Sequence, residues 1–188
     1  MGRVNAALMS ELGLSKPPLQ GSVEESNLVG VPAADRARVA EAAVRALAAQ
    51  PEVAAAFTRE DLLATTVRKG VPPDELSVKE RFAESVYPGR SPDIMAALQP
   101  QSTLAPAIPG ALVASHGSPW NYDRRVPMLF WWPGARAETR FLPVETVDIA
   151  PTLAAILRLP TPDDLDGRCL PLGLPGGPQC GTGTKPEG

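Results

Sequence analysis

The 188 residues carry 18 Lys and Arg against 21 Asp and Glu, a net charge of −3, with one His, two Cys, 22 Pro and 16 Gly. The length suits one ordinary domain with a buried core, and 44% apolar with 21% charged residues argues against wholesale disorder. The acidic balance speaks against a nucleic-acid binder that works by neutralising phosphates, and one His with two Cys cannot build a His-rich or four-Cys zinc site from the chain's own residues.

Met1 to Lys16 has no apolar stretch of signal-peptide length, and no run approaches the roughly 18 apolar residues that span a bilayer, so the expectation is a soluble chain with no leader of its own and no membrane partner. Ala6 to Leu14 reads as a short helix closed by Gly13. Ser15 to Pro32, rich in Pro, Gly, Ser and Asn, reads as loop. Pro32 opens a helix over Ala33 to Ala49, with Val39, Ala43 and Leu47 at helical spacing, Asp35, Arg36, Arg38, Glu41 and Arg45 on the wet face, and Pro51 as its stop. Glu52 to Phe57 suits a buried strand. Thr58 with Asp61 three residues on marks the start of a helix over Arg59 to Ala64, and Ser77 with Glu80 repeats that capping pattern ahead of Val78 to Val86.

Gly70 to Asp74 is a Pro-Pro turn, and Pro88 with Gly89 ends the helix that follows it. Ile94 to Leu98 reads as a strand, Gln99 to Gly110 as a loop broken by three prolines, and Ala111 to Ala114 as a short strand running into Ser115-His116-Gly117-Ser118-Pro119. A strand that opens into such a loop is where open α/β sheets place chemistry. After a loop over Trp120 to Arg125, Val126 to Trp132 is the strongest strand signal in the chain, apolar throughout except for Pro127, as for a strand covered on both faces. Asp148 reads as the cap of a helix over Ile149 to Leu157, with Pro151 tolerated in its first turn and Pro160 and Pro162 beyond its end.

The alternation of strands and helices indicates an α/β fold with too few strands for a complete large sheet. Residues 1–171 would form the folded portion and 172–188 a flexible Gly/Pro-rich tail. Cys169 and Cys180 lie close enough to pair in an oxidising compartment, or to stand as two separate thiols.

There is no Gly-x-Gly-x-x-Gly, no phosphate-binding Gly-Lys-Ser/Thr loop, no His-Glu-x-x-His and no Cys-x-x-Cys. The loop around His116 remains. A lone His after a strand is more often structural than a ligand, and Ser118 lacks the Gly-x-Ser-x-Gly elbow of a serine hydrolase.

The whole stretch from His116-Gly-Ser-Pro-Trp-Asn-Tyr122-Asp123 through Val126-Pro127-Met-Leu-Phe to Trp132-Pro-Gly134 and Val147-Asp148-Ile-Ala-Pro151-Thr152 is more telling. With Ala56-Phe57-Thr58-Arg59-Glu60-Asp61-Leu62, Tyr87-Pro-Gly89-Arg90-Ser91 and Asp166-Gly167-Arg168, it resembles the carboxy-terminal part of the alkaline phosphatase superfamily. The closest likeness is to bacterial alkaline phosphatases related to nucleotide pyrophosphatase/phosphodiesterases, and it covers roughly Ala6 to Leu170. The fold implied is the carboxy-terminal portion of such a sheet with its flanking helices, in incomplete form.

The resemblance implies that His116 stands where the family places a ligand of one of two catalytic zinc ions, with Gly117 allowing a sharp turn beside it. The complete enzyme would hydrolyse phosphate esters in the periplasm or outside the cell. The family's nucleophilic Thr or Ser, its first-strand Asp and its further Asp and His ligands have no counterpart here. The chain then resembles the last third of a phosphatase, inactive or nearly so alone, poorly soluble in isolation through its exposed sheet edges, binding zinc weakly or not at all, and open to completion by an amino-terminal chain. Tyr122 and Asp123 would brace the loop, Arg124 and Arg125 would face solvent or phosphate, Asp166 would sit in a turn, and Trp120, Trp131 and Trp132 would pack. A phosphodiesterase of the same superfamily, or a non-catalytic remnant or interaction module, are the alternatives.

Overall fold

A computed structural model describes residues 1–68, 71–104, 108, 110, 114–162, 164–172 and 180. The chain forms two compact units, Met1–Val71 with Glu75–Val126, and Pro72–Asp74 with Pro127–Gly188.

The first unit is built around a four-stranded sheet. Helix α1 (Gly2–Leu12) closes at Gly13, and strands β1 (Leu19–Gly21) and β2 (Glu25–Leu28) follow it. Helix α2 (Arg36–Ala48) is preceded by a 3-10 turn over Ala33–Asp35. Next come β3 (Val53–Thr58), the short helices α3 (Arg59–Leu63) and α4 (Val78–Ala83), and β4 (Ile94–Leu98). The strands run β1-β2-β4-β3, every neighbouring pair antiparallel. The fold is therefore mixed α and β, but with an antiparallel sheet where the alternation of elements had suggested an open α/β arrangement. The hairpin β1-β2 falls inside the stretch expected to be loop: its strands are only three and four residues long and polar at Gln20, Glu25, Ser26 and Asn27, too short to show a period.

All five residues of β4 are buried. Ile94, Ala96 and Leu98 face a core made with Val4 and Leu8 of α1 and Val39, Ala43 and Leu47 of α2, while Met95 and Ala97 are buried on alternate positions. Alanines at 42, 43 and 96 let helix and sheet backbones approach closely. β3 is half-buried where a fully buried strand was expected. It pairs only with β4 among the described residues, with a bulge between Val53 and Ala55. Both capping patterns form: the Thr58 hydroxyl accepts from the Asp61 amide, and Ser77 and Glu80 make a reciprocal capping box. Arg68 and Ser77 hold the Glu80 carboxyl far below the usual carboxylate range.

Asp93, buried at the entry to β4, ties four elements together. Its Oδ2 accepts from the Leu28 amide at 2.8 Å and from Arg36 at 2.7 Å, its Oδ1 pairs with Arg59 at 3.0 Å, and its own carbonyl accepts from the Arg59 amide at 2.9 Å. Burial pushes this carboxyl up, but the Leu28 amide and the two guanidinium groups outweigh burial and leave it below its ordinary value.

The second unit contains helix α6 (Ile149–Leu157), entered through a 3-10 turn over Thr146–Asp148. Asp148 does not cap α6 with its side chain, as its position before the helix suggested. Its carboxylate is turned back, accepting from the amides of Glu145 at 3.0 Å and Arg168 at 2.8 Å. The buried Thr152 hydroxyl accepts from the Leu170 amide at 2.9 Å, and Gly167 lies so close to the Val147 carbonyl that a Cβ there would overlap it. Two segments singled out by resemblance, Val147 to Thr152 and Asp166 to Arg168, thus interlock through backbone. Cys169 and Cys180 form a disulfide.

Val126 to Trp132 forms no strand, contrary to the strongest strand signal in the sequence, and Val126, Leu129 and Trp131 are exposed. Trp120 to Arg125 contains a one-turn helix, α5 (Asn121–Arg124), in place of simple loop. The expected strand Ala111 to Ala114 lies, apart from Ala114, outside the described residues, as do residues 173–179 and 181–188 of the expected tail. Among the described residues no helix is long and apolar enough to cross a membrane.

Asp93→Ala leaves the Arg36 guanidinium and the buried Leu28 amide without their acceptor and takes one partner from Arg59, and is expected to cost about 3 kcal/mol in a urea titration of the chain. Because the folded-state value of the Asp93 carboxyl is depressed, its stabilisation is present above about pH 4 and is lost as pH falls through the folded value. Asp93→Asn is expected to flatten that acid limb of the stability profile. Gly167→Ala is expected to destabilise the second unit by about 2 kcal/mol, read as faster amide exchange across α6, because backbone and not a flexible side chain blocks the new methyl.

Candidate functional site

The carboxyl end of β4 anchors the loop that carries His116. The Trp120 indole N–H donates to the Leu98 carbonyl at 3.0 Å, so the polar edge of this ring is tied to the last residue of the most buried strand. Arg81 of α4 donates to the Pro119 carbonyl at 2.7 Å. The Gln101 amide donates to the Tyr122 hydroxyl at 2.8 Å, which joins the loop leaving β4 to α5. An open pocket of about 440 Å³ lies beside these anchors, lined by Leu76, Val78, Arg81, Pro100, Trp120 and Tyr122 among others. Its wall is mainly apolar, and His116 is not part of it.

Within the loop, Asp123 Oδ2 accepts from the Ser118 amide at 2.6 Å. Hydrogen bonds from Ser118 hold the Asp123 carboxyl below its ordinary value, with smaller help from the neighbouring His116 and from the Gly117 amide. Gly117 has φ of 94°, a left-handed conformation that a side chain would resist, so the chain reverses directly after His116. His116 itself is exposed. Tyr122 and Asp123 therefore brace loops. Trp120 is a hydrogen-bonded anchor as well as a packing residue, and Asp166 lies in a bend preceding the close-packed Gly167.

Arg81 was not singled out from the sequence. Its place on the face of a capped helix offers no sign of a loop carbonyl 38 residues away, so only the fold reveals it. Among the described residues Ser118 makes no hydrogen bond with His116, the pairing a Ser-His hydrolase would need. Its backbone N–H donates to the Asp123 carboxylate.

A structural or catalytic zinc takes three or four protein donors. Among the described residues no three His, Cys, Asp or Glu side chains gather in one place. His116 offers one imidazole, and the adjacent Asp123 already spends a carboxylate oxygen on Ser118. The described residues do not by themselves fit a zinc ion.

Asp123→Ala removes the acceptor that closes the turn. The Ser118 amide is expected to exchange at least about tenfold faster, with little change at the β4 amides, as measured by residue-resolved hydrogen exchange.

No family model matches the sequence. The chain is 47% identical over 146 residues to alkaline phosphatase PhoK of Sphingomonas sp, an alignment that covers 76% of this chain and 26% of that protein. It is 42% identical over 144 residues to alkaline phosphatase PhoD of Zymomonas mobilis subsp. mobilis, covering 76% of this chain and 24% of that protein. The chain thus spans about a quarter of the length of the curated relatives it matches. Over that stretch the chain is similar to proteins named alkaline phosphatase.

Proposed function

We propose that the chain is the carboxy-terminal portion of a zinc-dependent phosphate-monoester hydrolase of the alkaline phosphatase type, to which it contributes part of the fold and one metal ligand, His116. The observation that carries this reading is the His116-Gly117-Ser118-Pro119 loop, held at the carboxyl end of a buried strand with its imidazole exposed, in a chain 47% identical to an alkaline phosphatase. A loop tied by Trp120, Arg81 and Asp123 presents a ligand at low ordering cost. The remaining zinc donors and the nucleophile would come from outside this sequence, since the described residues gather no set of three donors.

The Cys169–Cys180 disulfide supports an oxidising compartment, in keeping with a periplasmic or secreted enzyme. The substrate class proposed is a phosphate ester. On this reading the chain by itself lacks both covalent and metal catalysis.

The isolated chain is expected to show no p-nitrophenyl phosphate turnover above buffer with zinc present, and His116→Ala is expected to leave that baseline where it is. Calorimetry should find zinc binding weak, and weaker still in His116→Ala. Robust turnover by the isolated chain that survives the substitution would overturn both its incompleteness and the role given to His116.

A further inference from the structure

The segment after α5 has one apolar face too many. Met128, Phe130 and Trp132 are half-buried, whereas Leu129 is 87% and Trp131 81% exposed. This alternation is that of an extended segment with one side covered. Strands that keep one side in water carry polar residues there, and continuous apolar runs belong to strands covered on both sides. The same unit also exposes Phe141 at 93% and Leu142 at 72%. Exposed apolar side chains of this size in one short stretch mark an interaction surface.

We propose that the Leu129 and Trp131 face is a docking surface for the phosphatase polypeptide that lies outside this sequence, and that residues 128–132 become a strand covered on both faces when it docks. The inference rests on the phosphatase reading above and adds to it the surface and the partner. The alignment leaves the other three quarters or so of the PhoK relative's length unmatched, which is ample chain to supply neighbouring strands and a covering layer. A second copy of this chain suits the surface less well. Pro127 and Pro133 leave only the residues between them free to pair, and an isolated two-stranded ribbon is marginal in water. Placement inside a larger sheet provides pairing on the strand's edges and cover on its open face together.

The test is to co-express the full 188-residue chain with the polypeptide of alkaline phosphatase PhoK that precedes its matched segment. The products are then followed by size-exclusion chromatography and hydrogen exchange. A one-to-one complex is expected, with amide exchange of residues 128–132 slowed at least about tenfold relative to the chain alone. Leu129→Asp combined with Trp131→Asp is expected to weaken the complex at least about tenfold while leaving the circular dichroism of the chain unchanged, because both side chains are already exposed. The proposal is overturned by the absence of a complex, by a complex without protection at 128–132, by equal binding of the double variant, or by self-association of the chain that protects the same residues. A protected complex with no zinc-dependent turnover of p-nitrophenyl phosphate would retain the docking surface and overturn the phosphatase reading. Turnover without protection would do the reverse.

Discussion

The first unit depends on one buried carboxylate. Asp93 receives the last amide of β2, a guanidinium from the start of α2 and another from the start of α3, and its backbone begins β4. These groups come from positions up to 65 residues apart, and none of the elements they belong to is long enough to be stable alone. A charge taken out of water at such a junction is tolerable only when every oxygen is occupied, and here Oδ1 and Oδ2 both are. The arrangement orients the elements, while the Val39, Leu47, Ile94 and Leu98 cluster supplies the apolar burial that drives collapse.

The second unit solves a similar problem with polar atoms. Around α6, buried Asp148 and Thr152 accept backbone N–H groups from Arg168 and Leu170, and Gly167 permits backbone to lie against backbone. The Arg140 side chain donates to the carbonyls of Pro171 and Leu172, and Arg168 donates to that of Pro143. Side-chain-to-backbone bonds of this sort define a segment's path without needing a regular ladder. They hold the fragment Asp166-Gly167-Arg168 against Val147-Asp148-Ile-Ala-Pro151-Thr152.

What could be read from the sequence was local. Thr58 with Asp61 and Ser77 with Glu80 declare their helices because donor and acceptor are three residues apart, and the prolines at 32 and 51 bound α2 through backbone chemistry of their own. The Asp93 junction and the Arg81 clamp depend on long-range partners that no window contains, and the hairpin β1-β2 is local but too short and polar to show a period. Asp148 misled for a related reason. An acidic residue directly before a helix fits a cap, and Asp148 does hold that position, but its carboxylate closes the preceding 3-10 turn on the Glu145 amide and takes the Arg168 amide from a distant loop. Val126 to Trp132 misled differently, since its residues are written for an environment that the described fold does not supply on both faces.

The candidate site inherits its geometry from the same junction. β4 carries Asp93 before its first residue and, at Leu98, the carbonyl that receives the Trp120 indole. Buried throughout between those points, the strand acts as a stiff rod that relates the two ends. Trp120 then positions Pro119 for Arg81, and Asp123 draws the Ser118 amide back to reverse the chain after His116. Each contact involves a different part of the loop, so loss of one leaves the others to hold its approximate path. Among the described residues the imidazole itself makes no hydrogen bond, and on the proposed reading its fine placement would fall to the groups that face it in the complete site. On the proposed reading, a loop that fixes the approach of His116 while leaving its imidazole exposed has the form of one contributor to a shared metal centre, where the remaining donors would complete the geometry.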